Sequence, residues 1–197
     1  MNTLSLAGKW DLKAEGNIYN TEMGLNYNSS VNFPGDIQTA ILEANPGFDP
    51  YYRDNELKFQ VPGQTYWTCT RTINVPKKML KHHQFIEFDG IDTFADIFVN
   101  DIFVGHTENF FRLWRFDVTG VLHEGENTIQ IKFTPSEAVA VETAKKIPYP
   151  VPCSVYDITS PNRNLVRKTQ CHAGWDWGPC IMAMGVYNSL KIIQTNA

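Results

Sequence analysis

The chain has 197 residues, which is enough to bury a substantial core in one large domain or two small ones. Hydrophobic residues make up 43% and charged residues 19%, as in globular proteins. The formal net charge is −4, and the sequence contains no basic block. These values exclude the electrostatic footprint of a nucleic-acid-binding protein, and the sequence has no apolar run long enough to span a membrane.

The amino-terminal residues alternate between apolar and polar side chains. Leu4 and Leu6 begin a pattern that continues on even positions to Leu12, which predicts a strand over residues 4–12. The same alternation leaves no apolar h-region, so residues 1–10 do not resemble a signal peptide. This slightly favours a cytoplasmic over a periplasmic or lysosomal location and leaves export of the natural protein open.

The next segments mix a strand, a helix and a loop. Residues 31–33 are predicted as a second strand, which Pro34 stops. Asp36 can then cap a short helix, because apolar residues recur at helical spacing over residues 37–41. Residues 48–56 are polar, aromatic and irregular, which predicts a long surface loop.

The centre of the chain predicts a strand followed by a hairpin. Residues 66–75 alternate clearly, except that Arg71 falls on the inward parity and must reach an edge or pair with an acid. Residues 95–104 predict a hairpin around Asn100 and Asp101. Asn suits the first position of a type I′ turn, whereas Asp in the second is weaker than Gly because positive φ costs it more.

The remaining pattern completes an all-β fold. Residues 136–145 have helical composition with Ser136 as a candidate cap. About eight or nine short strands, each with one apolar face, predict a jelly-roll β-sandwich with one or two short helical insertions. We expect residues 1–197 to form a single domain. The other predicted strands are residues 84–88, 128–133, 181–184 and 189–194.

Residues 167–179, Arg-Lys-Thr-Gln-Cys-His-Ala-Gly-Trp-Asp-Trp-Gly-Pro, concentrate the candidate functional side chains. The flat ring of Trp175 beside the Asp176 carboxylate suits a sugar, whose C–H face stacks on the ring while its hydroxyls donate to the acid. On pattern alone, a core tryptophan in an ordinary loop is the alternative interpretation. The residues predicted to support the loop are Gly174, Trp177, Gly178 and Pro179.

The cysteines indicate neither a disulfide framework nor a metal site. They show no paired CxxC spacing and no disulfide-dense frequency, so we expect free thiols. Cys171, His172 and Cys180 match no common zinc pattern, and we expect no metal or cofactor. Sequences typical of phosphate-binding loops or of a serine nucleophile elbow are also absent. The four cysteines are Cys69, Cys153, Cys171 and Cys180.

Several motifs, spread in order over nearly the whole chain, match one known family. They are Val-Asn-Phe-Pro-Gly-Asp at 31–36, Asp-Pro-Tyr-Tyr-Arg-Asp-Asn-Glu at 49–56, Tyr-Trp at 66–67, Phe-Asp-Gly-Ile-Asp-Thr-Phe-Ala-Asp-Ile-Phe-Val-Asn at 88–100, Val-Gly at 104–105, Phe-Asp-Val-Thr at 116–119, Gly-Glu-Asn at 125–127, Arg-Lys-Thr-Gln at 167–170 and Gly-Trp-Asp-Trp-Gly-Pro at 174–179. The chain thereby resembles the amino-terminal sugar-binding domain of β-mannosidases of glycoside hydrolase family 2. The last motif discriminates best, since the central ones recur in other family 2 enzymes.

The resemblance implies a galactose-binding-like domain of a larger, multi-domain glycosidase. In such enzymes a (β/α)₈ barrel supplies two glutamates for retaining hydrolysis of terminal, non-reducing β-D-mannose, with the carboxyls about 5 Å apart. A barrel of roughly 250 residues does not fit in this chain, so we expect no catalytic residue here and no activity from this segment alone. The implied partners are a mannose-containing oligosaccharide and the barrel and immunoglobulin-like sandwich domains on which this one docks.

The resemblance also implies roles for single residues. Family members extend the Trp-Asp pair into the barrel's pocket, so Trp175 would form an apolar wall and Asp176 would accept hydrogen bonds from sugar hydroxyls. Trp177 is expected to pack under the loop. Glu56 follows Asn55 as acid/base glutamates do in the barrels, but it lies in an amino-terminal-domain motif, which favours a structural carboxylate paired with Arg53 or Arg71.

The sequence departs from the family pattern at two places. Asp101 stands where relatives usually have Gly, and residues 171–173 replace a segment in which aromatic residues are common. These changes affect turn geometry and local packing rather than the implied sugar contacts. Two other functions stay open: an independent carbohydrate-binding module with its own groove, and a purely structural domain that buttresses its neighbours.

Overall fold

Two antiparallel β-sheets pack face to face in the computed structural model, which describes residues 1–15, 25–27, 29–152 and 160–195. The strands are β1 (Asn2–Ser5), β2 (Gly8–Glu15), β3 (Ser30–Phe33), β4 (Gly35–Asp36), β5 (Tyr66–Val75), β6 (His83–Asp92), β7 (Phe94–Val99), β8 (Ile102–Thr107), β9 (Trp114–Asp117), β10 (Gly125–Thr134), β11 (Ala173–Trp175), β12 (Gly178–Cys180) and β13 (Gly185–Thr195). The helices are α1 (Ile37–Ala44), α2 (Asn55–Phe59), α3 (Val61–Gln64) and α4 (Ser136–Lys146), with 3₁₀ turns at Lys77–Leu80, Arg163–Leu165 and Gln170–His172.

The strand order places the chain's longest strands at the centre of each sheet. One sheet runs β3-β2-β5-β10-β7-β8, and the other runs β1-β13-β6-β9 with β4 also paired to β13. The hairpin β11–β12 forms a separate two-stranded sheet. The predicted all-β sandwich is therefore confirmed.

The core between the sheets follows from the alternation of the strands. Trp10, Trp67 and Phe88 are almost completely buried between the sheets. Full burial of a large apolar side chain contributes about 1.5–3 kcal/mol. The two indole N–H groups keep partners inside the core, because Trp10 donates to the Leu6 carbonyl at 3.0 Å and Trp67 to the Pro62 carbonyl at 2.9 Å. The core is thus apolar without leaving these donors unsatisfied.

The predicted strand over residues 4–12 is divided between the two sheets. β1 pairs with β13, whereas β2 pairs with β3 and β5. The chain crosses at Gly8, whose φ of +120° is accessible to Gly because it has no Cβ. Arg71 fixes the crossover by donating to the carbonyls of Leu6 (2.8 Å) and Ala7 (2.6 Å), so its partners are backbone oxygens rather than the expected edge or acid.

The hairpin β7–β8 has the predicted turn. Asn100 and Asp101 have φ values of 50° and 62°, as a type I′ turn requires. The Asn100 side chain donates to Asn127 Oδ1 at 2.9 Å and accepts from the Thr128 N–H at 2.9 Å. Asn100 therefore joins the turn to β10 as well as forming it.

The helix caps are confirmed in one case and wrong in the other. Asp36 caps α1, since its carboxylate accepts from the Thr39 N–H at 2.7 Å. Ser136 is the first residue of α4 rather than its cap, and its buried hydroxyl has no hydrogen-bond partner in the described part of the chain. The cap position belongs to Pro135, whose fixed φ leads into the helix without a side-chain bond.

Candidate functional site

The hairpin β11–β12 presents the Trp-Asp-Trp sequence at its tip. Trp175 pairs with Gly178, so Asp176 and Trp177 form a two-residue connection. Trp175 is 48% exposed, Trp177 is 75% exposed, and Asp176 is also exposed. The expectation that Trp177 packs under the loop is wrong, because a tight connection between two short strands turns its side chain outward.

Gly174 and Arg163 determine how the first tryptophan is held. Gly174 has a φ of +91°, a conformation that side-chain-bearing residues rarely adopt. Arg163 Nη1 donates to the Gly174 carbonyl at 2.7 Å, and its Cζ lies 5.0 Å from the centroid of the Trp175 ring. The backbone just before Trp175 and the ring itself are thus fixed by one guanidinium.

A buried ion pair fixes the base of the segment that carries the hairpin. Lys168 Nζ donates to Asp92 Oδ2 at 2.6 Å and also to the Ala183 carbonyl. The Lys168 and Asp92 side chains are 2% and 0% exposed. One ammonium therefore joins the start and the end of residues 168–183 to the last residue of β6.

The electrostatics of this pair reflect competition between burial and attraction. Burial acts to raise the pKa of Asp92, but the Lys168 charge and hydrogen bonds to the carboxylate outweigh it and hold that pKa below its usual value. Burial lowers the pKa of Lys168, and the adjacent carboxylate opposes that shift. His172 Nδ1 lies 3.4 Å from Asp92 Oδ2, but without hydrogen-bond geometry.

The return from β12 to β13 is irregular, so the predicted strand at residues 181–184 is wrong. The N–H groups of Ile181 and Met182 both donate to the His172 carbonyl, at 3.0 and 2.9 Å. Gln38 donates to the Met182 carbonyl at 3.3 Å and accepts from the Met184 N–H at 2.9 Å. These partners occupy backbone groups that a strand would offer to a neighbouring strand.

Glu56 supports the hairpin from the side. Its Oε1 accepts from the Cys180 N–H at 2.9 Å, a contact that links α2 to β12. The expected pairing with Arg53 or Arg71 is wrong. The Arg71 guanidinium is bound to backbone carbonyls, and the Arg53 guanidinium lies over the Tyr52 ring.

An exposed apolar surface borders this contact. Tyr51, Tyr52 and Leu57 are 74%, 55% and 63% exposed, on the segment that leads into and through α2. Leu57 directly follows Glu56, whose hydrogen bond to the Cys180 N–H ties this segment to β12. Large exposed apolar side chains can take part in a contact surface.

In the described part of the chain, no group of three His, Cys, Asp or Glu side chains is placed to hold a metal ion. The thiols of Cys69 and Cys171 are free, as predicted, and Cys153 lies outside the described residues. Burial strongly raises the pKa of the Cys69 thiol, which disfavours its reactive thiolate. Among the described residues, no helix has the length and apolar character needed to cross a membrane.

The sequence predicts Trp175 and Asp176 as sugar contacts, but it does not predict the residues that hold them in the fold. Lys168 and Asp92 lie within two of the motifs that carried the resemblance. Their place in these motifs was the one feature of the sequence that pointed to a structural role for them. Arg163 lies in no motif, and its position beneath the hairpin becomes visible only in the folded chain.

The fold and its hairpin define a galactose-binding-like β-sandwich domain of the kind that glycoside hydrolases carry. The family model described as glycosyl hydrolase 2 galactose-binding domain-like matches residues 10–188. The chain belongs to this family, which confirms the resemblance seen in the sequence. It is a domain of a β-mannosidase-like protein of glycoside hydrolase family 2.

Similar proteins are much longer than this chain. β-Mannosidase of Capra hircus is 30% identical over 200 residues, which cover 98% of this chain and 22% of that protein. β-Mannosidase B of Aspergillus clavatus is 32% identical over 164 residues, covering 81% of this chain and 19% of that protein. The crystal structure of β-D-mannosidase from Dictyoglomus thermophilum superposes with a TM-score of 0.87 at 32% identity, covering 100% of this chain and 23% of that one. The chain spans about a fifth of the length of these relatives.

Proposed function

We propose that residues 1–197 are a single amino-terminal domain of a β-mannosidase, and that Trp175 and Asp176 form one wall of its mannose-binding pocket. The observation that carries this proposal is that both side chains are exposed at the tip of a hairpin whose backbone is held by buried hydrogen bonds. Within the described residues, the Asp176 carboxylate has no hydrogen-bond partner, so it is available to accept bonds from a ligand. The similarity to β-mannosidases supports the choice of sugar.

The proposed chemistry assigns binding, not bond cleavage, to this domain. The Trp175 ring would stack on the C–H face of the terminal mannose, and Asp176 would accept hydrogen bonds from its hydroxyls. The Asp176 bonds to the sugar hydroxyls would orient the ring for attack, so they would contribute to turnover as well as to affinity, whereas stacking on Trp175 would contribute to affinity. The two catalytic glutamates of a retaining mechanism would be supplied by a barrel outside this chain, and this segment alone would be inactive.

Docking of this domain on the barrel and sandwich domains follows from the same proposal. The hairpin and the exposed side chains of Tyr51, Tyr52 and Leu57 offer apolar surface that a neighbouring domain can cover. A pocket shared between domains would place the Trp-Asp wall opposite the reacting bond. The substrate is then the non-reducing end of a mannose-containing oligosaccharide.

The test is the Asp176→Ala variant of the complete natural protein, assayed with 4-nitrophenyl β-D-mannoside. We expect kcat and kcat/KM to fall at least about tenfold with thermal unfolding unchanged, because an interaction that strengthens in the transition state is lost. Asp11→Ala removes another exposed carboxylate, on β2, and serves as the control. Unchanged kinetics in Asp176→Ala would contradict a role for Asp176 in the mannose pocket.

Calorimetry distinguishes the accessory wall from an independent carbohydrate-binding module. One wall of a shared pocket is expected to bind mannose or mannobiose too weakly to detect when the 197-residue chain is alone. Clear binding by the isolated chain would contradict the shared-pocket proposal and favour a separate groove on this domain.

A further inference from the structure

Arg163 is a buried cation that touches the backbone next to the proposed sugar wall. It lies on the 3₁₀ turn Arg163–Leu165 and is only 8% exposed. A buried charge is costly unless it is hydrogen-bonded, and Nη1 makes such a bond to the Gly174 carbonyl at 2.7 Å. The guanidinium is therefore directed at the residue that precedes Trp175.

The same guanidinium supports the Trp175 ring. Its Cζ lies 5.0 Å from the ring centroid, within the range of a cation–π contact. One face of the indole is covered in this way, while the side chain as a whole remains 48% exposed. The arrangement leaves the ring accessible for a ligand and restricts its rotation.

The backbone of Arg163 is itself anchored. Its carbonyl accepts from Gln170 Nε2 at 3.1 Å and from the Val166 N–H at 3.3 Å. Gln170 Nε2 also lies within bonding distance of the Lys168 carbonyl, at 3.2 Å. Arg163 is thus connected through Gln170 to the segment that the buried Lys168–Asp92 pair fixes to β6.

We infer that Arg163 is a positioning residue that sets the plane of the Trp175 ring and thereby the affinity of the mannose pocket. The inference rests on the proposed function of Trp175. A guanidinium is suited to this role because its planar fork can bond a carbonyl while its face lies against an aromatic ring. A Lys ammonium keeps the charge but offers neither a plane nor a fork.

The experiment measures KM and kcat for 4-nitrophenyl β-D-mannoside in the complete natural protein. Stacking on a ring stabilises bound substrate and transition state alike, so Arg163→Ala should raise KM about fivefold and leave kcat within about twofold. Partial unfolding would instead lower kcat and leave KM unchanged, since fewer molecules would be active. Arg163→Lys, a milder change, should raise KM about threefold, because the fork and the plane are lost.

Arg112→Ala is the matched control, because the Arg112 guanidinium makes the same kind of contact with a different ring, 4.5 Å from the Trp114 centroid. It should leave KM unchanged. A double variant tests the route of the effect: in a Trp175→Ala background, Arg163→Ala should add no further increase in KM.

The outcomes separate this inference from the proposed function. A raised KM in Trp175→Ala with an unchanged KM in both Arg163 variants would overturn the positioning role and leave the sugar wall intact. Equal effects of Arg163→Ala with and without Trp175 would also overturn it, because Arg163 would then act by another route. An unchanged KM in Trp175→Ala would overturn the role of Trp175 and this inference with it.

Discussion

The β-sandwich and the hairpin segment, residues 160–184, are held together by different interactions. In the sandwich, β5 lies between β2 and β10, and its inward side chains join a continuous apolar core. In the hairpin segment, Ala173, Cys180 and Met182 form a small buried apolar cluster separate from that core, whereas Val166 and Met184 pack against residues outside the segment. Isolated two-stranded hairpins are marginal at best, so this one depends on partners outside itself.

Those partners are polar side chains that the sandwich and its helices supply. Asp92, Gln38 and Glu56 hold the segment at its base, its return and its side. Each of these three side chains bonds either the buried Lys168 ammonium or a backbone group of the segment. The segment therefore needs few apolar side chains of its own to stay ordered. Its tryptophans can therefore remain exposed at the tip, where a ligand or a neighbouring domain can reach them.

The largest loss of stability is expected from breaking the buried ion pair between Lys168 and Asp92. Lys168→Met leaves the Asp92 carboxylate buried without its cation, which should lower the free energy of unfolding by about 3–5 kcal/mol in urea titrations. Lys145→Met removes an exposed pair, Lys145 with Glu142 at 2.5 Å, and should leave the urea midpoint unchanged. Equal losses in the two variants would contradict the view that the hairpin segment depends on its buried polar contacts.

A smaller effect on stability is expected from Glu87 of β6, in the sandwich. Its carboxylate lies between Arg115 (2.7 Å) and Lys191 (2.9 Å). Burial acts to raise the pKa of Glu87, and hydrogen bonds and charges from Lys191 and Arg115 outweigh it, so that pKa is lowered. The unfolded state then binds more protons than the folded state between the two pKa values. The contribution is full above the usual Glu pKa of about 4.3 and is lost as pH falls through the lowered folded value.

Urea titrations from neutral to acidic pH measure this contribution. Glu87→Gln should flatten the acid limb of the stability profile, because the side chain no longer titrates. The effect should be smaller than that of Lys168→Met, since the Arg115 side chain is 51% exposed and water screens its charge. Parallel stability profiles for the unmodified protein and Glu87→Gln would show that the ion pairs of Glu87 contribute nothing to the acid sensitivity.

The smallest change in stability is expected at the β7–β8 turn of the sandwich, where the backbone of one residue is strained. Asp101 has a φ of 62°, so Asp101→Gly should stabilise the fold by about 0.5 kcal/mol, net of the greater chain entropy of Gly. Asn100→Gly should destabilise it instead, because it removes hydrogen bonds that join the turn to β10. Thermal unfolding of both variants measures the difference, and a stabilised Asn100→Gly would contradict this account of the turn.

The strands that form the sandwich were largely predictable. Tyr66–Val75 matches its predicted bounds, and the hairpin turn at Asn100 and Asp101 was foreseen from local chemistry. Both depend on neighbours in sequence: period-two alternation and the φ preferences of two residues. The prediction failed at residues 4–12 and 181–184, where alternating or apolar residues continue but the backbone bonds of the chain change partner.

By itself the sequence determined the two-sheet alternation of this chain and the Trp-Asp-Trp loop, with family 2 motifs around it, that forms the tip of the hairpin. Only the tertiary structure decided how that hairpin is held: Lys168 meets Asp92 from 76 residues away, and Cys180 meets Glu56 from 124. It also decided that Trp177 faces outward and that Arg163 lies beneath Trp175. Alternation and turn chemistry are properties of adjacent residues, whereas a buried polar contact depends on where distant segments meet once the core has formed.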